Sequence, residues 1–387
     1  VPVNSINGQD GNVILSRGLP DQATVDSLSG LAPITPTLTL GATSTIASAQ
    51  ALFACDTGPF NYTAQMAFGA TFPDTTLYQP VSRYPNTWGS PPHWSVAFGT
   101  DAQVWEFMFK HVAAGAYRLS VDGKKMTDLM VATGASSAGS RYTLKFDMGT
   151  AGPRKYRIDG YTLPFGGVFV GPNDSLWRTP LGKRIAVTGD SLSAGSSFNT
   201  AAGNGTWFHR FCRMLGYEDS WNTAIGGTGY IADNTGGSVA MGARIADVAS
   251  YAPDRIICWA GYNDNGQGPL AIDTAARSYF KALASALDAY TVVIGCWSPS
   301  GSPAASLVST DETLRMAAAD YKLPFISPIS GRVYNADGLP IASLGAWITA
   351  ANTSRFVNAT DNIHPNDTGH TYLARRIAEA YTLLGNV

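Results

Sequence analysis

Five positions from residue 191 onward carry the groups that acyl transfer requires, in four short stretches. The stretch RIAVTGDSLSAG ends an apolar run on Gly189-Asp190-Ser191, which puts a serine hydroxyl at a strand-to-helix corner. Ser and Asp are also preferred helix caps, so this tripeptide alone reads first as a cap. Further along come NTAIGGTGY, with Gly226 and Gly227, then GYND, with Asn263 and Asp264, and then DNIHP, with Asp361 and His364. A serine hydroxyl is a poor nucleophile until a base takes its proton, and imidazole suits that task. His364 is the candidate base. Asp361, three residues earlier, would accept a hydrogen bond from the other ring nitrogen and stabilise the imidazolium. The backbone N–H groups of Ser191 and Gly227 and the Asn263 side-chain amide are candidate donors to the oxyanion. The rate of such a site should rise as the imidazole loses its proton.

Positioning these groups requires elements that end on one rim. From RIAVTG onward, β-type runs (WNTAIG, RIICWAG, TVVIGCW, LPFISP) alternate with helical patterns (TWFHRFCRMLG, MGARIADVASYA, TAARSYFKALASALDAY, DETLRMAAADY, HTYLARRIAEAYTLL). Alternation of this kind predicts an α/β domain, a parallel sheet covered by helices on both faces, with five strands in flavodoxin-like order 2-1-3-4-5. Sites in such sheets lie beyond the carboxyl ends of the strands, where each candidate residue falls. Before about residue 178 the texture differs. Short strand-like runs such as WSVAFG, VWEFMFKH, YRLSVDGKK, YTLKFDMG, RKYRIDGY and GGVFVG, separated by turn signals, predict an all-β sandwich of jelly-roll type. The expected organisation is a β-rich domain over 1–178, with an extended lead-in, and an α/β domain over 179–387.

Composition narrows the partners. The 387 residues, 45% of them hydrophobic, suffice for two domains each with its own core. Charged residues make up 14% and the formal net charge is -2, which leaves no electrostatic footprint for nucleic acid or an anionic membrane. No apolar run is long enough to span a bilayer. The opening VPVNSINGQDGN lacks the basic and apolar parts of a signal peptide, so the chain is expected to be processed or cut from a longer one. Cys55, Cys212, Cys258 and Cys296 lack metal-ligand or disulfide-framework spacing and read as small core hydrophobes.

The four stretches together resemble the blocks of the SGNH (GDSL) hydrolase superfamily, in the family's order, over about residues 182–387. The resemblance implies Ser191 as nucleophile, Asp361 and His364 as its triad partners, and Ser191, Gly227 and Asn263 as the oxyanion hole, with no metal and no cofactor. The paired glycines leave Gly226 as an alternative to Gly227. Asp190 and Asp264 read as loop-fixing carboxylates, and His370 as structural, as do His93, His111 and His209. The HP after an acidic residue can also be read as an ordinary turn into a helix, with Asp367 or Thr368 as its cap. A two-metal phosphatase also uses Gly-Asp and Gly-Asn loops, but needs several converging His and carboxylate ligands. The GxSxG elbow of the other serine-hydrolase fold is absent.

A sandwich ahead of such a domain resembles the layout of carbohydrate-active SGNH esterases. That implies a serine esterase removing O-acetyl groups from a polysaccharide, capsule or O-antigen, with an acetylated glycan as partner. Trp88, Trp94, Trp105 and Trp177 are candidate stacking surfaces or core residues, and Trp297 and Trp347 candidate acyl-pocket walls or core residues. The alternatives are a glycan-binding or adhesion protein on an inactive scaffold, and an acyltransferase using a hydroxyl acceptor. The segment PVNSINGQDGNVILS resembles one that recurs in bacteriophage tail fibres and tailspikes, or is simply a hairpin. The resemblance implies an extracellular or virion-associated setting and, for a tail protein, a trimer.

Overall fold

A computed structural model describes residues 36–46, 52–55, 57–63, 93–111, 115–127, 130–161, 163–196, 205–234 and 239–385. Trp88 and the segment PVNSINGQDGNVILS lie outside the described residues.

The first part is built of β1 (Thr37–Gly41), β2 (Leu52–Ala54), β3 (Asn61–Thr63), β4 (His93–Thr100), β5 (Val104–Lys110), β6 (Ala116–Val121), β7 (Lys124–Lys125), β8 (Val131–Ala132), β9 (Arg141–Asp147), β10 (Arg154–Tyr161), β11 (Phe165–Val170) and β12 (Leu176–Trp177). One antiparallel sheet has the order β1-β9-β5-β11-β2, and the other β12-β4-β10-β6-β7, with β3 beside β4 and β8 beside β6. Alternation decides which side chains face the partner sheet. On β4 these are Trp94, Val96 and Phe98; on β10, Tyr156 and Ile158, all without solvent exposure. Rings from the two sheets meet edge to face or tilted: Phe98 and Trp105 at 5.3 Å, Tyr156 and Trp105 at 4.8 Å, Trp94 and Phe165 at 5.4 Å. Trp94 and Trp105 are therefore core residues, not stacking surfaces. Trp177 lies half-buried over Gly99, where a Cβ would stand 2.2 Å from its indole nitrogen.

The opposite face of the second sheet is polar, because it meets the α/β part. Register sets Asp159 beside both Ser95 and Arg118. Arg118 donates to Asp159 at 2.8 Å, Arg157 at 3.0 Å and the Ser95 hydroxyl at 2.6 Å. Burial pushes this carboxyl up, but the Arg157, Arg118 and Arg213 guanidinium groups hold it well below the usual carboxylate range. Arg157 also reaches the Glu218 carbonyl at 3.4 Å, and Lys155 pairs with the Glu218 carboxylate.

The second part comprises β13 (Arg184–Gly189), α1 (Ser191–Ala194), α2 (Trp207–Leu215), β14 (Asp219–Asn222), α3 (Ile245–Ala249), β15 (Arg255–Trp259), α4 (Pro269–Ala286), β16 (Tyr290–Ile294), α5 (Ala305–Asp320), β17 (Phe325–Ile326), β18 (Arg332–Tyr334), β19 (Pro340–Ser343), α6 (Thr353–Phe356) and α7 (Asp367–Leu383). The sheet order is β14-β13-β15-β16-β17-β18-β19. Its first five strands are parallel, in the expected 2-1-3-4-5 order; β18 and β19 extend it antiparallel, a hairpin the sequence analysis did not anticipate. The strand expected at WNTAIG is set earlier, and α7 is capped by Asn366, which accepts from the Gly369 N–H at 2.8 Å, rather than by Asp367 or Thr368.

Both faces of the sheet are apolar, as the helical layers demand. Ile185, Val187, Ile257, Trp259, Val292 and Ile294 pack on one side with α2 and α7. Ala186, Ile256, Cys258 and Val293 face the other side, in a cluster continuous with the sandwich interior.

Candidate active site

Each candidate residue sits just past the end of a parallel strand or in the segment leading to α7. β13 ends at Gly189 because the Trp259 carbonyl of β15 lies where a side chain would go; a Cβ there would stand 1.9 Å from that oxygen. Asp190 then turns the chain. Its carboxylate accepts from the Leu192 N–H at 2.9 Å and caps α1, which presents Ser191. Asn222, at the end of β14, donates to the Ser193 carbonyl at 2.8 Å and so ties that strand to the serine-bearing turn.

Ser191, His364 and Asp361 form one chain of hydrogen bonds. The Ser191 Oγ is 2.7 Å from His364 Nε2, and His364 Nδ1 is 2.5 Å from Asp361 Oδ2. The other carboxylate oxygen, Oδ1, accepts from the backbone N–H groups of Ile363 and His364 at 3.0 and 3.2 Å. Burial pushes the Asp361 carboxyl up, but the ring and backbone donors outweigh it and hold it below its ordinary value. Asn362 adopts the left-handed conformation, φ 57°, which Asn tolerates, and so bends the chain between Asp361 and His364. Trp297 Nε1 fastens the same loop by donating to the Ile363 carbonyl at 2.9 Å.

The glycine pair abuts Ser191. A Cβ built on Gly226 would be 3.5 Å from Ser191 Cβ. Gly227 has φ +73°, and a Cβ there would strike the Asn234 amide at 2.1 Å. That same amide donates to the Gly226 carbonyl at 2.9 Å. In a trans peptide the N–H points away from the carbonyl, so Asn234 turns the Gly227 N–H in the opposite direction. Neither that N–H nor the Ser191 N–H has a hydrogen-bond partner among the described residues. Asn263, in the turn after β15, has its amide held by the Thr228 carbonyl at 2.9 Å, which leaves its second N–H for another acceptor. Asp264 behind it is fully buried and accepts from the N–H groups of Tyr230, Ile231 and Ala232 at 2.8, 3.0 and 2.8 Å. It joins the glycine loop to the Asn263 turn.

The remaining histidines lie apart from this chain. His370 is buried, accepts from the Trp207 N–H at 3.2 Å, and is pushed down to about 3 by burial and by the charges of Arg210 and His364. His209 faces the Ser220 hydroxyl at 3.4 Å. Trp297 and Trp347 are 1% and 0% exposed and pack on Trp259 at 6.2 and 5.9 Å, so they back the site from the core rather than wall a pocket. Among the described residues no three His, Cys, Asp or Glu side chains converge as metal ligands. Two groups escaped the sequence analysis. Asn234 looks like an ordinary loop residue in IADNTGG, and Arg244, described below, like an ordinary helix-start arginine.

Residues 187–372 match the model of the GDSL-like lipase/acylhydrolase family. This part of the chain is similar to that family and to the SGNH hydrolases. Solved structures with the same fold span both parts of the molecule. A family two carbohydrate esterase from Clostridium thermocellum, solved with cellohexaose, has a TM-score of 0.56 at 15% identity over 82% of this chain and 97% of that one. A salicylyl-acyltransferase from a tetracycline biosynthetic pathway gives 0.59 at 13% identity over 86% and 97%. A family 2 carbohydrate esterase with a carbohydrate binding domain, from Corynascus thermopiles (Myceliophthora fergusii), gives 0.54 at 17% identity over 84% and 100%. A search of the curated proteins found no match.

Proposed function

We propose that the protein is a serine esterase that removes O-acetyl groups from carbohydrate through an acyl-enzyme intermediate. The observation that carries this is the Ser191–His364–Asp361 hydrogen-bond chain beside two N–H groups that have no partner among the described residues. In this reaction Ser191 Oγ attacks the ester carbonyl and its proton passes to His364 Nε2. The carbonyl oxygen gains the negative charge, which the Ser191 and Gly227 N–H groups and the Asn263 amide stabilise. Collapse breaks the bond to the sugar oxygen, which takes the proton from His364. Water then repeats the sequence, yielding acetate and free Ser191.

The fold shared with two carbohydrate esterases, one solved with an oligosaccharide, supports a glycan as the alcohol part of the ester. Acetylated polysaccharide is met outside the cell, which supports an extracellular or virion-associated setting. Transfer of the acyl group to a sugar or other hydroxyl would use the same residues, and the fold shared with an acyltransferase keeps it as the second reading.

The test is acetate release from a panel of O-acetylated polysaccharides by wild type and Ser191→Ala. Release by the wild type alone supports a glycan deacetylase. Cleavage of small aryl acetates without release from any glycan would move the substrate elsewhere, and acylated products in the presence of alcohol acceptors would favour transfer.

A further inference from the structure

The most deeply buried cation beside the site is used by none of the steps above. Arg244, on the short turn before α3, is 1% exposed. Its Nη1 donates to the Thr223 carbonyl at 2.8 Å. Its Nη2 donates to the Thr228 hydroxyl at 2.8 Å and reaches the Gly189 carbonyl at 3.3 Å. One guanidinium thus holds the end of the strand that delivers Ser191 and both sides of the Gly226–Gly227 turn. Thr228 passes the constraint on. Its hydroxyl donates to the Ile225 carbonyl at 2.8 Å, and its own carbonyl orients the Asn263 amide at 2.9 Å. Asp190, 1% exposed, lies close enough to feel the field of this charge.

We propose that Arg244, acting through Thr228, is a positioning residue that sets the mutual geometry of the Ser191, Gly227 and Asn263 donors. The inference rests on the hydrolase reading above. Oxyanion stabilisation depends on donors held where the charge develops, and a displacement of about 1 Å costs about 100-fold in rate. Neutral substrate binding does not sense that geometry to the same degree, so the effect belongs in kcat.

The experiment compares wild type, Ser191→Ala, Thr228→Val, Thr228→Ser and Arg244→Lys on one aryl acetate, with thermal melting of each. Inhibition by a small alkyl boronic acid, whose serine adduct mimics the tetrahedral intermediate, is measured alongside. Thr228→Val keeps the shape and removes the hydroxyl; Lys at 244 keeps the charge and loses the fork. The expected result is a fall in kcat of about 10- to 100-fold for Thr228→Val and Arg244→Lys with KM within about twofold. Boronate affinity should fall by a similar factor, and Thr228→Ser should recover most of the rate. Wild-type kcat in both variants, losses confined to KM, or rate losses without weaker boronate binding would overturn the inference while leaving Ser191 as nucleophile. Wild type and Ser191→Ala indistinguishable on the ester would remove the hydrolase reading and this inference with it.

Discussion

The Oγ of Ser191 and Nε2 of His364 stand 2.7 Å apart although 173 residues separate them in the chain. Nothing local brings them together. Ser191 is presented by the end of β13 and the Asp190 cap, His364 by a loop fastened to Trp297, and the sheet sets the distance between them.

That geometry makes the tautomer of His364 depend on Asp361. Asp361→Asn preserves the size of the side chain but offers an amide where Nδ1 needs an acceptor. We expect kcat to fall by about 10⁴ with KM little changed. Steady-state kinetics on an aryl acetate checks this, and a loss below about tenfold would count against the orienting role.

The Asn263 amide touches only the oxygen of the developing intermediate in the proposed reaction. Asn263→Ala should therefore lower kcat by about 100- to 1000-fold and leave KM near wild type. A KM effect without a kcat effect would assign the amide to ground-state binding instead.

Asp190 links the site to pH-dependent stability. Burial, with Asp264 adding to it, raises this carboxyl from 3.8 to about 7 against the Leu192 N–H and Arg244. Among the described residues its Oδ2 has no hydrogen-bond partner. Between about pH 4 and 7 the folded state therefore keeps a proton that the unfolded chain has lost, and stability falls as pH rises through that window. Asp311, raised to about 7, acts in the same direction. His370, lowered to about 3, acts in the opposite one: its folded form stays neutral, so stability rises with pH up to about 6.5. Asp190→Asn isolates the first contribution. Its melting temperature relative to wild type should rise by a few degrees between pH 4 and 7 and then level off. A difference independent of pH would show that Asp190 is ionised throughout.

At the seam between the two parts, Asp159 is the carboxylate facing Arg118 and Arg157. Asp159→Asn removes the carboxylate with which both Arg118 and Arg157 pair and should cost about 3 kcal/mol of stability. Urea denaturation followed by fluorescence would read it, and a cost under about 1 kcal/mol would mean that water or another acidic group already screens the cluster.

The parts of this molecule that sequence made legible are those in which chemistry or packing restricts residue type. Ser191, Asn263, Asp361 and His364 stand out because few side chains suit the roles proposed for them. The strands stand out because each face of a sheet demands alternation or apolar runs. Arg244 and Asn234 were not legible, since both act on backbone carbonyls, which every sequence supplies. Trp297 and Trp347 are ambiguous as letters, and only packing on Trp259 assigns them to the core. The β18–β19 hairpin escaped because its strands are three and four residues long, too short for a pattern, although Asp337-Gly338 marks its turn.

The most direct test of the central claim is to quench a reaction with an aryl acetate in acid and map the protein by mass. The account predicts one acetyl group on the peptide that carries Ser191, absent from Ser191→Ala. An acetyl group found reproducibly on another residue, or turnover by Ser191→Ala at the wild-type rate, would contradict it.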